Sequence, residues 1–166
     1  MIAGNGMIEV RVDGLLVDNT NNSPVVLLRE DGADRVLPIY IGPFEASAIA
    51  YALQRTNFPR PMTLDLMRLV AESLGGRLRR VIITRLEGDT FFAELVIEGP
   101  SGIISVDARP SDSVGLALRA DIPIFVAEEV MDRAAHVVRA EDEGRLSELR
   151  SKLREIQPED FGNYRM

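Results

Sequence analysis

A short pattern occurs twice in this chain and limits what the chain can fold into. Residues 41–53 run from Ile41-Gly42-Pro43 through Glu45 to Leu53, and residues 108–120 run from Ala108-Arg109-Pro110 through Asp112 to Ala120. In register, Pro43 falls on Pro110, Glu45 on Asp112, Ile49 on Leu116 and Ala50 on Ala117. Each copy follows an apolar run, Val36 to Ile41 and Ile103 to Ala108. Apolar residues leading into Pro, with an acid two positions on, mark a strand passing into a helix. Proline is tolerated in the first helical turn because its missing N–H has no intrahelical partner there, and an acid in that turn meets free amides and the positive end of the helix dipole. Two carboxylates are thus expected at two equivalent strand-to-helix corners.

The segments around these corners complete a doubled unit. Ile8, Val10 and Val12 alternate with Glu9, Arg11 and Asp13, the period of a half-buried strand. Val25 to Leu28 is a continuous apolar run, and Asp31-Gly32 turns it toward Val36 to Ile41, a predicted hairpin. Pro38 cannot donate to a ladder, which favours an edge or a bulge there. Pro43 to Arg55 is predicted as a helix, and a second helix is predicted to start at Thr63 as its cap. Leu66, Val70 and Leu74 form its stripe, and Gly75-Gly76 ends it. Leu78 to Leu86, Phe91 to Ile97 and Ile103 to Ala108 read as three strands before the helix at Pro110 to Ala120. A short strand at Pro123 to Val126 and a short helix at Glu128 to Ala135 follow. The order is strand-strand-strand-helix, an extra helix, then strand-strand-strand-helix. It predicts an α+β domain over residues 7–135, with a mixed, mostly antiparallel sheet built by duplication and helices packed around it.

Residues 136–166 read as a tail. Leu146, Leu149, Leu153 and Ile156 fall at helical spacing, and Glu141 with Arg145 and Glu148 with Lys152 are four apart. The pattern predicts an amphipathic helix, packed on its own domain or binding a protein partner.

The chain has 166 residues, no cysteine and a formal charge of −7. The missing cysteines exclude disulfides, thiolate catalysis and thiolate-held metal, and fit a cytoplasmic location. No apolar stretch is long enough to span a bilayer. The negative charge argues against a surface that coats nucleic acid broadly. Between positions 55 and 85, however, Arg55, Arg60, Arg68, Arg77, Arg79, Arg80 and Arg85 stand against only Asp65 and Glu72. His136 is the single histidine, so histidine triads and histidine-rich metal sites are excluded. No phosphate-loop or dinucleotide fingerprint is present.

The densest cluster of chemical groups is Asp107-Ala108-Arg109-Pro110-Ser111-Asp112-Ser113. Free N–H groups at a helix start attract anions, and a guanidinium can grip a phosphate with two parallel hydrogen bonds. Asp107 and Asp112 could hold a divalent cation, since hard cations prefer carboxylate oxygen. A second cluster, Arg60-Pro61-Met62-Thr63-Leu64-Asp65, opens the extra helix beside a stiff proline-flanked connector. Each acid has a plainer reading. Glu45, Asp65 and Asp112 can serve as first-turn caps, and Arg109 can simply pair with Asp107 or Asp112. Asp107 is the exception, because an acid closing an apolar strand normally needs a partner.

Residues 36–46 (Val36-Leu37-Pro38-Ile39-Tyr40-Ile41-Gly42-Pro43-Phe44-Glu45-Ala46), 60–66, 106–113 and Pro123-Ile124-Phe125-Val126 together resemble the bifunctional nuclease domain, in order and with similar spacing over roughly 7–135. The resemblance implies a compact α+β fold, dimeric members and hydrolysis of RNA and DNA phosphodiesters with little sequence preference. Carried onto this sequence, it implies Glu45, Asp65, Asp107, Arg109 and Asp112 as catalytic residues and Arg60, Thr63 and Ser111 as substrate-binding residues. Mg²⁺ or Mn²⁺ would sit on Asp107 and Asp112. Leu64 stands where the family usually has histidine, and Tyr40 where it often has tryptophan. A non-catalytic, dimeric regulatory or scaffold domain binding a protein, a nucleic acid or a small anion is the alternative.

Overall fold

The structure is a computed structural model that describes residues 6–138, 153–155 and 160. The element order is β1 (Met7–Asp18), β2 (Ser23–Glu30), β3 (Arg35–Tyr40), α1 (Pro43–Leu53), α2 (Thr63–Ser73), β4 (Arg77–Glu87), β5 (Thr90–Gly99), β6 (Gly102–Ala108), α3 (Pro110–Ala120), β7 (Ile124–Ala127), α4 (Glu128–Ala134), β8 (His136–Val137) and β9 (Leu153–Glu155). The doubled unit is there: two antiparallel three-strand meanders, each followed by a helix that begins at Pro.

One sheet takes in all the strands, in the order β6-β5-β4-β7-β1-β2-β3-β8, with β9 also on β1. β7 joins the halves, antiparallel to β1 and parallel to β4, which makes the sheet mixed but mostly antiparallel. Pro38 lies opposite Leu27, past the two residues where β8 covers the outer side of β3, so its missing N–H faces a free edge among the described residues. The long β1 pairs with β7 through Met7 to Val10 and with β2 from Val10 to Asp18, and the β2 ladder carries a bulge between Val12 and Gly14.

One sheet face and the helices share the core. Val81, Ile83, Ala93, Leu95, Ile124 and Val126 pack with Ile49 of α1, Leu64 of α2 and Val114 and Leu116 of α3. Gly115 makes the helix contact close: a Cβ there would lie 2.7 Å from Leu64 Cδ1 and 3.6 Å from Ile49 Cγ1. Leu64 is therefore a packing residue.

Three expectations need correction. The N-cap of α2 is Met62, not Thr63, because the Asp65 carboxylate turns back to accept the Met62 N–H at 3.1 Å. The Leu66, Val70 and Leu74 stripe of α2 points to solvent, and Leu64 is the buried anchor of that helix. In the tail, Leu153–Glu155 is a strand antiparallel to Leu16–Asp18 and not part of a helix, while Glu141, Arg145, Leu146, Glu148, Leu149, Lys152 and Ile156 lie outside the described residues. The C-terminal end of α2 follows expectation: Gly75 takes φ +81°, its N–H reaches Glu72 O at 3.0 Å, and the Gly76 N–H reaches Ala71 O at 2.8 Å.

Candidate active site

The two corners meet at one guanidinium. Arg109 ends the extended run of β6 as the N-cap of α3, with φ −72° and ψ 145°. Its Nε donates to Asp112 Oδ2 at 2.7 Å and its Nη2 to Asp112 Oδ1 at 3.1 Å, a two-pronged grip on the first turn of its own helix. Its Nη1 donates to Glu45 Oε1 of α1 at 2.8 Å, across 64 residues of sequence. Glu45 can fold back in this way because position 42 is glycine; a Cβ there would collide with Glu45 Oε2. The hydrogen bond to Asp112 first, then its charge, then Glu45, hold the Arg109 guanidinium above its ordinary pKa. The Arg109 side chain is still 65% exposed. Among the described residues three of its five N–H bonds are committed, which leaves capacity for an incoming anion.

A second guanidinium-carboxylate group was not expected from the sequence. Arg119, in the last turn of α3, donates Nε to Asp65 Oδ1 and Nη2 to Asp65 Oδ2, both at 2.7 Å, and Nη1 to Thr56 O at 2.7 Å. Both side chains are only 15% exposed. With Met62 N–H as a further donor, Asp65 is fully occupied in tying α2 and the connector to α3. The one sequence signal for Arg119 was its basic charge near a helix C-terminus, which is common and names no partner.

Beside this pair lies a cavity of about 270 Å³ lined by Phe44, Ser47, Ala48, Tyr51, Phe58, Met62, Thr63, Leu64 and Arg119. Tyr51 and Phe58 meet edge to face, 5.0 Å between centroids. Phe44 adjoins Glu45 in sequence, so the cavity wall continues into the first turn of α1 where Arg109 is held. Thr63 is exposed and lines this cavity, Arg60 is exposed on the connector before it, and Ser111 is buried in the first turn of α3.

Asp107 is not gathered in. It lies opposite Glu94, and Glu94 lies opposite Ile82, while the core face of the same strands carries Leu95 and Val81. The Asp107 side chain therefore stands on the sheet face away from the helices, exposed, and among the described residues it makes no hydrogen bond or ion pair. Its expected partner is unnecessary because β6 is an edge strand in water. The basic segment is divided in the same way. Arg77 and Arg80 lie opposite Glu98 and Val96, on that far face. Arg68, Arg79 and Arg85 pair with Glu72, Glu98 and Glu87.

The donors do not suit a divalent ion as they stand. Glu45 and Asp112 are both held by Arg109, Asp107 is on the other face, and no group of three His, Cys, Asp or Glu side chains converges among the described residues. Among the described residues no helix is long and apolar enough to cross a membrane.

The sequence has relatives. An uncharacterized protein of Mycobacterium tuberculosis (strain H37Rv) is 43% identical over 158 residues, 95% of this chain and 93% of that protein. Bifunctional nuclease 1 of Oryza sativa subsp. japonica is 30% identical over 118 residues, 69% of this chain but 36% of its own length. Bifunctional nuclease 1 of Arabidopsis thaliana is 29% identical over 116 residues, 68% of this chain and 36% of its own length. The family model for the bifunctional nuclease domain matches residues 25–139, which take in both corners and both arginine groups, and the chain belongs to that family.

Proposed function

We propose that this protein hydrolyses phosphodiester bonds of RNA or DNA in the cytoplasm, and that Arg109, Glu45 and Asp112 form its reactive group. The observation that carries this reading is the exposed guanidinium held by two carboxylates where the first turns of α1 and α3 converge. A phosphate reaching this point competes with the carboxylates for Arg109 and gains the positive ends of two helix dipoles. As it takes the guanidinium, it releases Glu45 beside the phosphorus. The freed carboxylate can accept a proton from the attacking water as the new P–O bond forms. The old P–O bond then breaks, and the departing oxygen recovers that proton from the Glu45 carboxyl. Arg109 neutralises the charge that builds on the phosphoryl oxygens. Arg60 and Thr63 stand ready to hold the strand beyond the scissile bond, where base identity is not read.

The test is cleavage of fluorescent single-stranded RNA and DNA by the purified chain, with chelator and with added Mg²⁺ or Mn²⁺. Arg109→Ala is expected to lose at least 100-fold in rate, and Glu45→Gln 10- to 100-fold, with unchanged circular dichroism. Undiminished cleavage by both variants removes the proposal.

One observation favours a second reading, a non-catalytic regulatory domain: the two carboxylates already neutralise Arg109 and leave it no strong net positive charge. Under that reading the wild-type chain binds an oligonucleotide or another anion without cleaving it, and Arg109→Ala weakens binding alone.

A further inference from the structure

The cavity beside Arg119 has more shape than a fastening between helices requires. Phe44, Ser47, Ala48 and Tyr51 line it from α1. Their spacing of three and four places them on one face of the helix. From Phe44 to Tyr51 the helix rises about 10 Å, so two rings stand apart with only a hydroxymethyl and a methyl group between them. Phe58 of the connector meets Tyr51 edge to face, with 5.0 Å between centroids. The result is a slot with an aromatic ring toward either end. An apolar cavity of ~150 Å³ holds one benzene ring, so the 270 Å³ here admits the two fused rings of a purine. It falls below the ~300–1,000 Å³ of sites that enclose a drug-sized molecule.

The slot carries no unbalanced charge. Arg119 reaches it, but its Nε and Nη2 are bonded to Asp65 and its Nη1 to Thr56 O. Among the described residues the lining has no carboxylate and no carboxamide, the groups that pick out cytosine or adenine by a fixed pattern of donors and acceptors. Its other polar side-chain groups are the hydroxyls of Ser47, Tyr51 and Thr63. A hydroxyl rotates to donate or to accept, so these groups offer hydrogen bonds without prescribing one base edge. A lining of this kind holds a base by its face, and every base has such a face. The slot also opens beside a phosphate-binding group. Phe44 is 78% exposed at its rim, and the next residue, Glu45, accepts from Arg109 Nη1 at 2.8 Å.

We propose that this cavity takes one unstacked base of the nucleotide whose phosphate meets Arg109. The inference rests on the reading of Arg109 as the phosphate site and adds what lies next to it. Glu45 and Asp112 already neutralise Arg109, so a phosphate alone gains little there. A base seated between Phe44 and Tyr51 supplies the missing attraction and lets the attached phosphate displace the carboxylates. Binding at a part of the substrate that does not react thus drives the change at the part that does. The same arrangement sorts substrates by form. A base in a duplex is paired and stacked and must be swung out at a cost, whereas a base in a single strand is already free. The cavity therefore favours single strands and unpaired ends, and it tolerates all four bases.

Calorimetric titration of the full chain compares AMP with ribose 5-phosphate, which has the same sugar and phosphate but no base. AMP is expected to bind at least 10-fold tighter, with AMP, GMP, CMP and UMP within 10-fold of one another. Ser47→Met fills the slot and Phe44→Ala removes its rim. Each is expected to bring the preference for AMP over ribose 5-phosphate below threefold, with circular dichroism unchanged. Arg109→Ala is expected to weaken both ligands and to keep the preference. A wild type that binds the two ligands within threefold of each other, or shows no binding of AMP at 10 mM, overturns the inference. So does a preference that survives in both cavity variants, and a wider spread among the four bases overturns the tolerance. If Ser47→Met unfolds, Phe44→Ala decides, since that ring is mostly in water. The two readings fail separately. A chain that prefers AMP as expected but leaves every strand uncut keeps the cavity and loses hydrolysis. A chain that cuts strands but treats the two ligands alike keeps hydrolysis and loses the cavity.

Discussion

Two arginine-carboxylate groups stand at opposite ends of α3, and they differ chiefly in access to water. At the C-terminal end, Arg119 and Asp65 are each 15% exposed, with Thr56 O and Met62 N–H adding to their mutual bonds. At the N-terminal end, Arg109 makes comparable contacts to Asp112 and Glu45, at 2.7 to 3.1 Å, but is mostly in solvent, where its remaining N–H groups are within reach of a ligand. Pairs shielded from water are costly to break, since removing one member strands a charge where water cannot solvate it. Pairs in water exchange partners cheaply. The inner group therefore acts as a fastener between α2, the connector and α3. The outer group is available to an incoming ligand, although sequence alone would rank Asp65 and Asp112 as equals.

The sharpest test of this division is Asp65→Ala. It leaves Arg119 unpaired and the Met62 N–H without its acceptor, and is expected to lower stability by about 3 kcal/mol. Urea unfolding followed by circular dichroism measures it. A variant as stable as wild type but unable to cleave would reverse the assignment and make the inner group the functional one. Arg109→Ala is expected to do the opposite: at least 100-fold loss of cleavage, with no more than ~0.5 kcal/mol of stability lost at so exposed a pair. Equal losses of stability in the two variants would dissolve the contrast.

A smaller effect separates the placement of Glu45 from its mere presence. Gly42 has φ −76°, which alanine adopts without strain, so Gly42→Ala costs the backbone nothing. The new methyl group takes the space of Glu45 Oε2 and turns the carboxylate away from Arg109. Cleavage is expected to fall about 10-fold with little change in Tm. Full activity in Gly42→Ala would mean that Glu45 need not be held where it is.

Much of this was legible in the sequence because it rests on local rules. Pro43 and Pro110 in first helical turns, the Asp31-Gly32 turn, the Gly75-Gly76 stop and the limits of Pro38 each act over a few residues, and each is found at its place. Period alone does not reveal which side of an apolar stripe meets the domain. The stripe of α2 has the spacing of a core face, yet Gly115 admits Leu64, and that contact turns Leu66, Val70 and Leu74 outward. Likewise Ile103 to Ala108 reads as an apolar strand, but it is the last in the sheet and Ile103 is 68% exposed. The site divides the same way. Glu45, Arg109 and Asp112 could be found because the duplicated corner marks all three neighbourhoods. Arg119 could not, since its partner is 54 residues away and neither residue carries a local sign of the other.

Tyr40 offers the mildest test of the rule that exposure, not bond length, ranks these contacts. Its hydroxyl donates to Asp18 Oδ2 at 2.9 Å, as short as several contacts of the arginines, but the ring is largely in water. That hydrogen bond first, then burial and the charge of Asp18, raise the Tyr40 pKa above its ordinary 10.0. The phenol is thus harder to ionise in the folded state than in the unfolded chain. Its contribution to stability is complete below pH 10 and is lost as pH climbs from there through the raised folded value. Tyr40→Phe is expected to lower Tm only slightly at pH 7, with the gap between wild type and variant closing above pH 10. Thermal unfolding at pH 7, 9 and 11 reads this directly. A loss at pH 7 as large as that of Asp65→Ala would show that bond length, not access to water, sets the strength of these contacts.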